Sequence, residues 1–125
     1  MDNDQLAAFY RRYNEHRVAD LRESVARDVL INGTDRGLDA YADGQRMVVR
    51  AFPDFRWKLR HLVVDAPWIA AHVTNAGTHR EPFFGVGPTN RSVSVEEFAF
   101  YRIDASQIAE VWGMDFHVNL LEQIR

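Results

Sequence analysis

The sequence contains no cysteine. That excludes disulfides, a thiol nucleophile and thiolate-bound metal or iron–sulfur centres. Lysine is almost absent too: Lys58 stands alone against fourteen arginines, which are spread along the chain and form no patch. Fifteen basic and eighteen acidic residues give a formal charge of −3. A phosphate-binding surface wants a strong positive excess, so no nucleic-acid partner is expected. Long apolar runs are missing. The longest uncharged stretch, Ala66 to His79, contains Pro67, His72 and Asn75 and is too short and polar to span a bilayer. No membrane partner is expected. The opening Met1-Asp2-Asn3-Asp4 is acidic and unlike a secretory signal, so a cytoplasmic location is expected. Familiar catalytic patterns are absent as well. Gly85-Val86-Gly87 leads into a proline and a strand rather than a helix, and there is no serine nucleophile elbow or His-Glu-x-x-His zinc pattern.

What is there is a chain of 125 residues, 46% hydrophobic, long enough for one domain with its own core. The first half reads as helical. Asp4 is placed to cap a helix with Leu6, Phe9 and Tyr13 on one face. A short helix is predicted over Ala19 to Ala26, and a third over Leu38 to Phe52, stopped by Pro53-Asp54. After Pro53 the period changes to two. Phe55, Trp57, Leu59, His61 and Val63 alternate with Arg56, Lys58 and Arg60. Further strands are predicted over Trp68 to His79, Arg91 to Ile103 and Gln107 to Asp115. In the third strand Val93, Val95, Ala99 and Tyr101 share a face. In the last, Val111, Gly113 and Asp115 share one face, with Ile108, Trp112 and Met114 on the other. Asn119 to Glu122 has the spacing of a capping box. Three N-terminal helices followed by long hairpin strands predict an α+β fold. Its mainly antiparallel sheet would curve around the helices as a cone and enclose a pocket.

Asp115 is the most informative acid. It sits in the apolar segment Val111-Trp112-Gly113-Met114-Asp115-Phe116, where an unpaired carboxylate costs several kcal/mol. Its bland reading is a helix cap. The five histidines are scattered. Asp115 and His117 fall on one strand face and His79 could approach them, which is the residue set of a metal site. Polar pairs at strand ends are common without metal, however, and no metal is expected.

The segments Ala51-Phe52-Pro53-Asp54-Phe55, Gly77-Thr78-His79, Phe83 to Thr89, Tyr101-Arg102-Ile103 and Ile108 to Trp112, then Asp115 and Leu120 to Ile124, together resemble the SnoaL-like polyketide cyclase family. Phe9-Tyr10, Tyr13-Asn14 and Ala19 to Leu21 fit more loosely. The resemblance implies one domain over residues 1–125 with the nuclear-transport-factor-2-like cone. It also implies intramolecular aldol ring closure of a small apolar or aromatic ligand without a cofactor. Asp115 matches the general acid/base, and Tyr101 a pocket position beside it. His79 falls in the Gly-Thr-His motif as a pocket or hairpin residue.

His117 or His79 could join Tyr101 in hydrogen-bonding an enolate oxygen, and Tyr13, Asn14, Trp57 and Phe83 complete the candidate pocket set. Glu97 is a departure, since many relatives carry a small residue there. Two alternatives stay open: a binding module that holds an apolar ligand without turning it over, and a hydroxylase-like relative acting on an aromatic polyketide. Phe98, Phe100 and Trp112, read as an outward row, predict a homodimer or higher homo-oligomer formed sheet to sheet.

Overall fold

The computed structural model describes residues 1–113 and 116–125. The chain runs α1 (Asn3–Glu15), α2 (Leu21–Ser24), β1 (Val25–Ile31), β2 (Thr34–Asp35) and α3 (Gly37–Ala51). It continues through β3 (Arg56–Asp65), β4 (Trp68–Thr78), β5 (Ser92–Asp104), β6 (Gln107–Gly113) and α4 (Phe116–Ile124). Three helices precede the long hairpin strands, as the change of period predicts.

The cap of α1 is Asp2 rather than Asp4. The Asp2 side chain accepts from the Gln5 backbone N–H at 2.8 Å, and the Gln5 side chain accepts from the Asp2 N–H at 2.8 Å. This reciprocal pair satisfies two donors that the first turn leaves over. From that start, Leu6, Tyr10 and Tyr13 become the buried stripe. In α3 the stripe is Tyr41, Ala42, Gln45, Val48 and Ala51, and its polar member, Gln45, is a first sign of a site.

The helix predicted over Ala19 to Ala26 shrinks to α2, because Val25 already belongs to β1. Val25 and Val29 are both buried and lie four apart, which looks helical in sequence. Pairing beside β6 overrides that local signal. The sheet therefore has six strands in the order β2-β1-β6-β5-β4-β3, and β1–β6 is its parallel pair. It is curved and unclosed.

Two bulges change which side chains face inward. Leu59 pairs with Val73 but His61 with His72, so Arg60 is the extra residue in β3. Beyond it the alternation flips: Leu62 and Val64 pack on the core, while His61 and Val63 turn outward. A strict period of two through Val63 therefore fails at this point. In β6, Arg102 pairs with Glu110 but Ile103 with Ile108, which makes Ala109 the extra residue. Ile108 is consequently buried on the same side as Val111 instead of opposite it. The last helix starts at Phe116, so Asn119 lies inside α4 and does not open it.

Two core clusters result. One gathers Leu6, Tyr10, Tyr13, Ile69 and Tyr101; the other Phe52, Phe55, Phe83, Phe116 and Leu120. Outside, Val63, Phe98, Phe100 and Trp112 stay exposed. Among the described residues no helix is long and apolar enough to cross a membrane.

Candidate active site

The inward register of β5 delivers Glu97, Ala99 and Tyr101 in sequence, all buried. They form one wall of a cavity of about 440 Å³, within the size range of small-molecule sites. Val111 and Gly113 of β6 continue this wall, α3 contributes Tyr41, Gly44 and Gln45, and α4 closes it with Phe116 and His117. The rim carries exposed Asn32, Arg36, Met47 and Phe84. Gly113 is required by close approach: a Cβ there would meet the Phe98 carbonyl oxygen at 2.9 Å.

Glu97 is 6% exposed and faces Arg17, which is 2% exposed. Arg17 sits in the turn between α1 and α2. Its Nη2 donates to Glu97 Oε2 at 3.0 Å and to the Tyr10 hydroxyl at 3.2 Å. Its Nε donates to Asn14 Oδ1 at 3.0 Å. The second carboxylate oxygen, Oε1, accepts from Asn75 Nδ2 at 3.0 Å. The guanidinium also lies over the rings of Tyr13, at 4.9 Å, and Trp57, at 5.6 Å. Burial opposes the Arg17 charge, but Glu97 and the surrounding tyrosines outweigh it and hold the guanidinium firmly protonated. A pair this dry survives because its geometry is nearly complete.

The tyrosines form a second connected group. Rings of Tyr10 and Tyr101 are 5.3 Å apart, and those of Tyr13 and Tyr101 5.7 Å. The Tyr13 hydroxyl is hydrogen-bonded to that of Tyr41. Burial pushes Tyr10 up to about 12, and burial likewise raises Tyr13, Tyr41 and Tyr101. All four remain neutral phenols at physiological pH. On the opposite wall, His117 Nε2–H donates to the Gly44 carbonyl at 3.1 Å. Its ring stacks on Phe116, with centroids 4.8 Å apart.

The structure gathers the sequence candidates unevenly. Tyr101 and His117 line the cavity. Tyr13 reaches its edge through the hydroxyl of Tyr41. Asn14 and Trp57 stand one layer back. Asn14 holds Arg17 and donates to the Trp57 carbonyl at 3.0 Å, and the Trp57 ring supports the guanidinium. His79 and Phe83 belong to the second core cluster and its hairpin, outside the cavity lining. His79 Nδ1 accepts from the Thr89 N–H at 3.1 Å, and its ring packs against Phe52 at 5.3 Å. His79 and His117 are thus fixed on separate partners. Asp115 lies outside the described residues. Arg17, Glu97, Tyr41 and Gln45 were not among the candidates. Glu97 carried the available signal, a charge on the same alternation as Val95, Ala99 and Tyr101.

Comparison with known proteins decides the family. The family model for SnoaL-like polyketide cyclases matches residues 4–124. The chain belongs to the SnoaL-like polyketide cyclase family. Among solved structures, it is similar to a SnoaL-like polyketide cyclase from Agrobacterium tumefaciens at 28% identity and TM-score 0.75, covering 100% of both chains. It is also similar to IdmH from Streptomyces antibioticus, a candidate polyketide cyclase, at 26% identity and TM-score 0.76, covering 96% of this chain and 95% of that one. AclR from Streptomyces galilaeus, a candidate hydroxylase, shares the fold at TM-score 0.82 and 17% identity, with 98% and 97% covered. No curated protein matches.

Proposed function

We propose that this SnoaL-like chain closes a ring of a small, largely apolar polycyclic substrate by an intramolecular aldol reaction, with Asp115 as acid and base and no cofactor. The Asp115 carboxylate takes a proton from carbon beside a carbonyl, and the electron pair moves onto the carbonyl oxygen as an enolate. The enolate carbon attacks a second carbonyl, forming the carbon–carbon bond. The alkoxide then takes back the proton from Asp115, so the carboxylate is regenerated. An apolar cavity raises a carboxyl's proton affinity, which suits both halves of this cycle.

The observation that carries the reading is the wall around one stretch of sequence. Gly113, Phe116 and His117, which flank Asp115 in sequence, all line a cavity of about 440 Å³. The phenol of Tyr101, on the same wall as Gly113, and the amide of Gln45, on α3, supply polar groups of the same cavity. Because α4 begins at Phe116, Asp115 also directly precedes a helix, and a capping role is the competing account. Asp115→Asn separates the two. An acid/base loses turnover by about 10²–10⁴-fold on replacement. A cap keeps it, since Asn caps about as well as Asp. Asp115→Ala, measured for turnover and melting temperature, completes the comparison.

One observation favours a second reading, that of a binding module. Much of the cavity's polar equipment is already paired, Arg17 with Glu97 and Tyr13 with Tyr41. Tight ligand binding by the unaltered protein with no chemical change in any enolisable ketone would support it.

We further propose that the exposed row of Val63, Phe98, Phe100 and Trp112 packs against a second copy as a homodimer. Light scattering across micromolar concentrations tests this, and a monomeric mass throughout contradicts it.

A further inference from the structure

A guanidinium has five N–H donors in a fixed fork. In Arg17 three are used: Nε to Asn14, and the two of Nη2 to Tyr10 and Glu97. The two on Nη1 meet no hydrogen-bond partner among the described residues. Arg17 as a whole is 2% exposed, and it lines the cavity. One buried polar atom of the same cavity, Gln45 Oε1, is without a partner. Buried polar groups in folded proteins are nearly always satisfied, so a cavity that keeps an orphan acceptor on Gln45 and an unused donor edge on Arg17 is equipped for a polar ligand, and only the Arg17 edge suits an oxygen acceptor.

We propose that the Nη1 edge of Arg17 is the oxygen-binding group of the cavity and that it selects ligands presenting a ketone or enolate oxygen on an aromatic or fused-ring body. Glu97 and Asn14 act as positioning residues. They fix the fork from behind, and the rings of Tyr13 and Trp57 fix its plane. Glu97 also cancels the full positive charge. The site therefore favours a neutral carbonyl that gains negative character during reaction, rather than a permanent anion. In the aldol cycle such an oxygen is where the electron pair collects, so the same contact strengthens as the enolate forms.

This inference rests on reading the cavity as a ligand site, but its test needs no turnover. The probes are methyl naphthyl ketone and ethylnaphthalene, which have nearly the same shape and differ in one oxygen. The wild-type protein should bind the ketone about tenfold more tightly, the size of one charge-assisted hydrogen bond after its desolvation cost. Arg17→Lys keeps the charge for Glu97 but removes the fork, and should bring the two affinities to within about twofold. The double variant Arg17→Met/Glu97→Leu removes both charges together and should also abolish the preference while keeping most of the melting temperature that Glu97→Leu alone loses. Nitrogen NMR of the Arg17 side chain should shift with the ketone and stay still with the hydrocarbon. Equal affinities in the wild type, binding of neither probe, or a preference that survives Arg17→Lys would each overturn the proposal. If the double variant fails to fold, the wild-type ratio and Arg17→Lys still decide it. Asp115→Asn should leave the preference intact. In the wild type, a preference without turnover defeats the cyclase reading alone, and turnover without a preference defeats this inference alone.

Discussion

Glu96 and Glu97 are neighbours on β5 with opposite fates. Glu96 points outward, where its Oε1 accepts from Thr74 Oγ1 at 3.1 Å and pairs with His72 Nε2 at 2.9 Å. His72 in turn meets His61, Nδ1 to Nδ1 at 2.9 Å, and stacks on Phe98 with ring centres 4.5 Å apart. Glu97 points inward, dry, and bonded to Arg17 and Asn75. The residue type and the strand are the same, so the difference comes from the pleat alone. Water screens the outer carboxylate and makes its bonds optional. The inner one has no such substitute, so its partners are obligatory.

The sharpest way to test this contrast is to break each side singly. Glu97→Leu leaves Arg17 charged and unpaired, and should cost about 3–5 kcal/mol. That is a fall in melting temperature of roughly 10–20 °C for a domain of this size. Adding Arg17→Met should restore most of it. A single variant that melts within about 2 °C of the wild type would show that water reaches the pair. Next in size is Gly113→Ala. Its methyl would meet the Phe98 carbonyl oxygen at 2.9 Å, so β5 and β6 must separate. A cost of about 1–3 kcal/mol is expected in thermal or urea unfolding.

The alkaline limb tests the inner region by a different route. The chain has four tyrosines, and all four are raised by burial, Tyr10 to about 12. The folded state favours the neutral phenol, so this stabilisation is complete below the ordinary value of 10 and is lost as pH rises through about 12. Tyrosinate absorbance should therefore show no component near 10 and should rise together with unfolding. A tyrosine titrating normally in folded protein would contradict the burial described. The smallest effect belongs to the outer carboxylate. The His72 and Thr74 hydrogen bonds hold Glu96 below the ordinary glutamate value of 4.5. Its contribution is present above that value and fades as pH falls through the lowered one. Glu96→Gln should leave the melting temperature at neutral pH nearly unchanged and slightly flatten the acid limb of the stability curve.

How much of this was legible in the sequence follows the same line. The change from helical to alternating period at Pro53 was visible, and with it the fold class, because those signals are local. The strand β1 was hidden, since Val25 and Val29 suit a helix equally well and only the pairing with β6 decides. The bulges at Arg60 and Ala109 were also hidden, so His61 and Ile108 were assigned to the wrong sides. An extra residue leaves no mark in a periodic pattern until the partner strand is known. At the site, Tyr101 could be read from its register. Arg17 could not, because it lies in a turn and gains its meaning from Glu97, 80 positions away in the chain.

The central claim is that this cavity moves a proton to and from carbon. The most direct measurement is deuterium exchange into β-tetralone, a bicyclic ketone that enolises and cannot cyclise, followed by NMR in heavy water. The account predicts that the wild-type protein accelerates exchange beside the carbonyl and that Asp115→Asn, folded and still binding the ketone, loses about 10²–10⁴-fold of that acceleration. Exchange no faster than in buffer, or equally fast with Asp115→Asn, would contradict it.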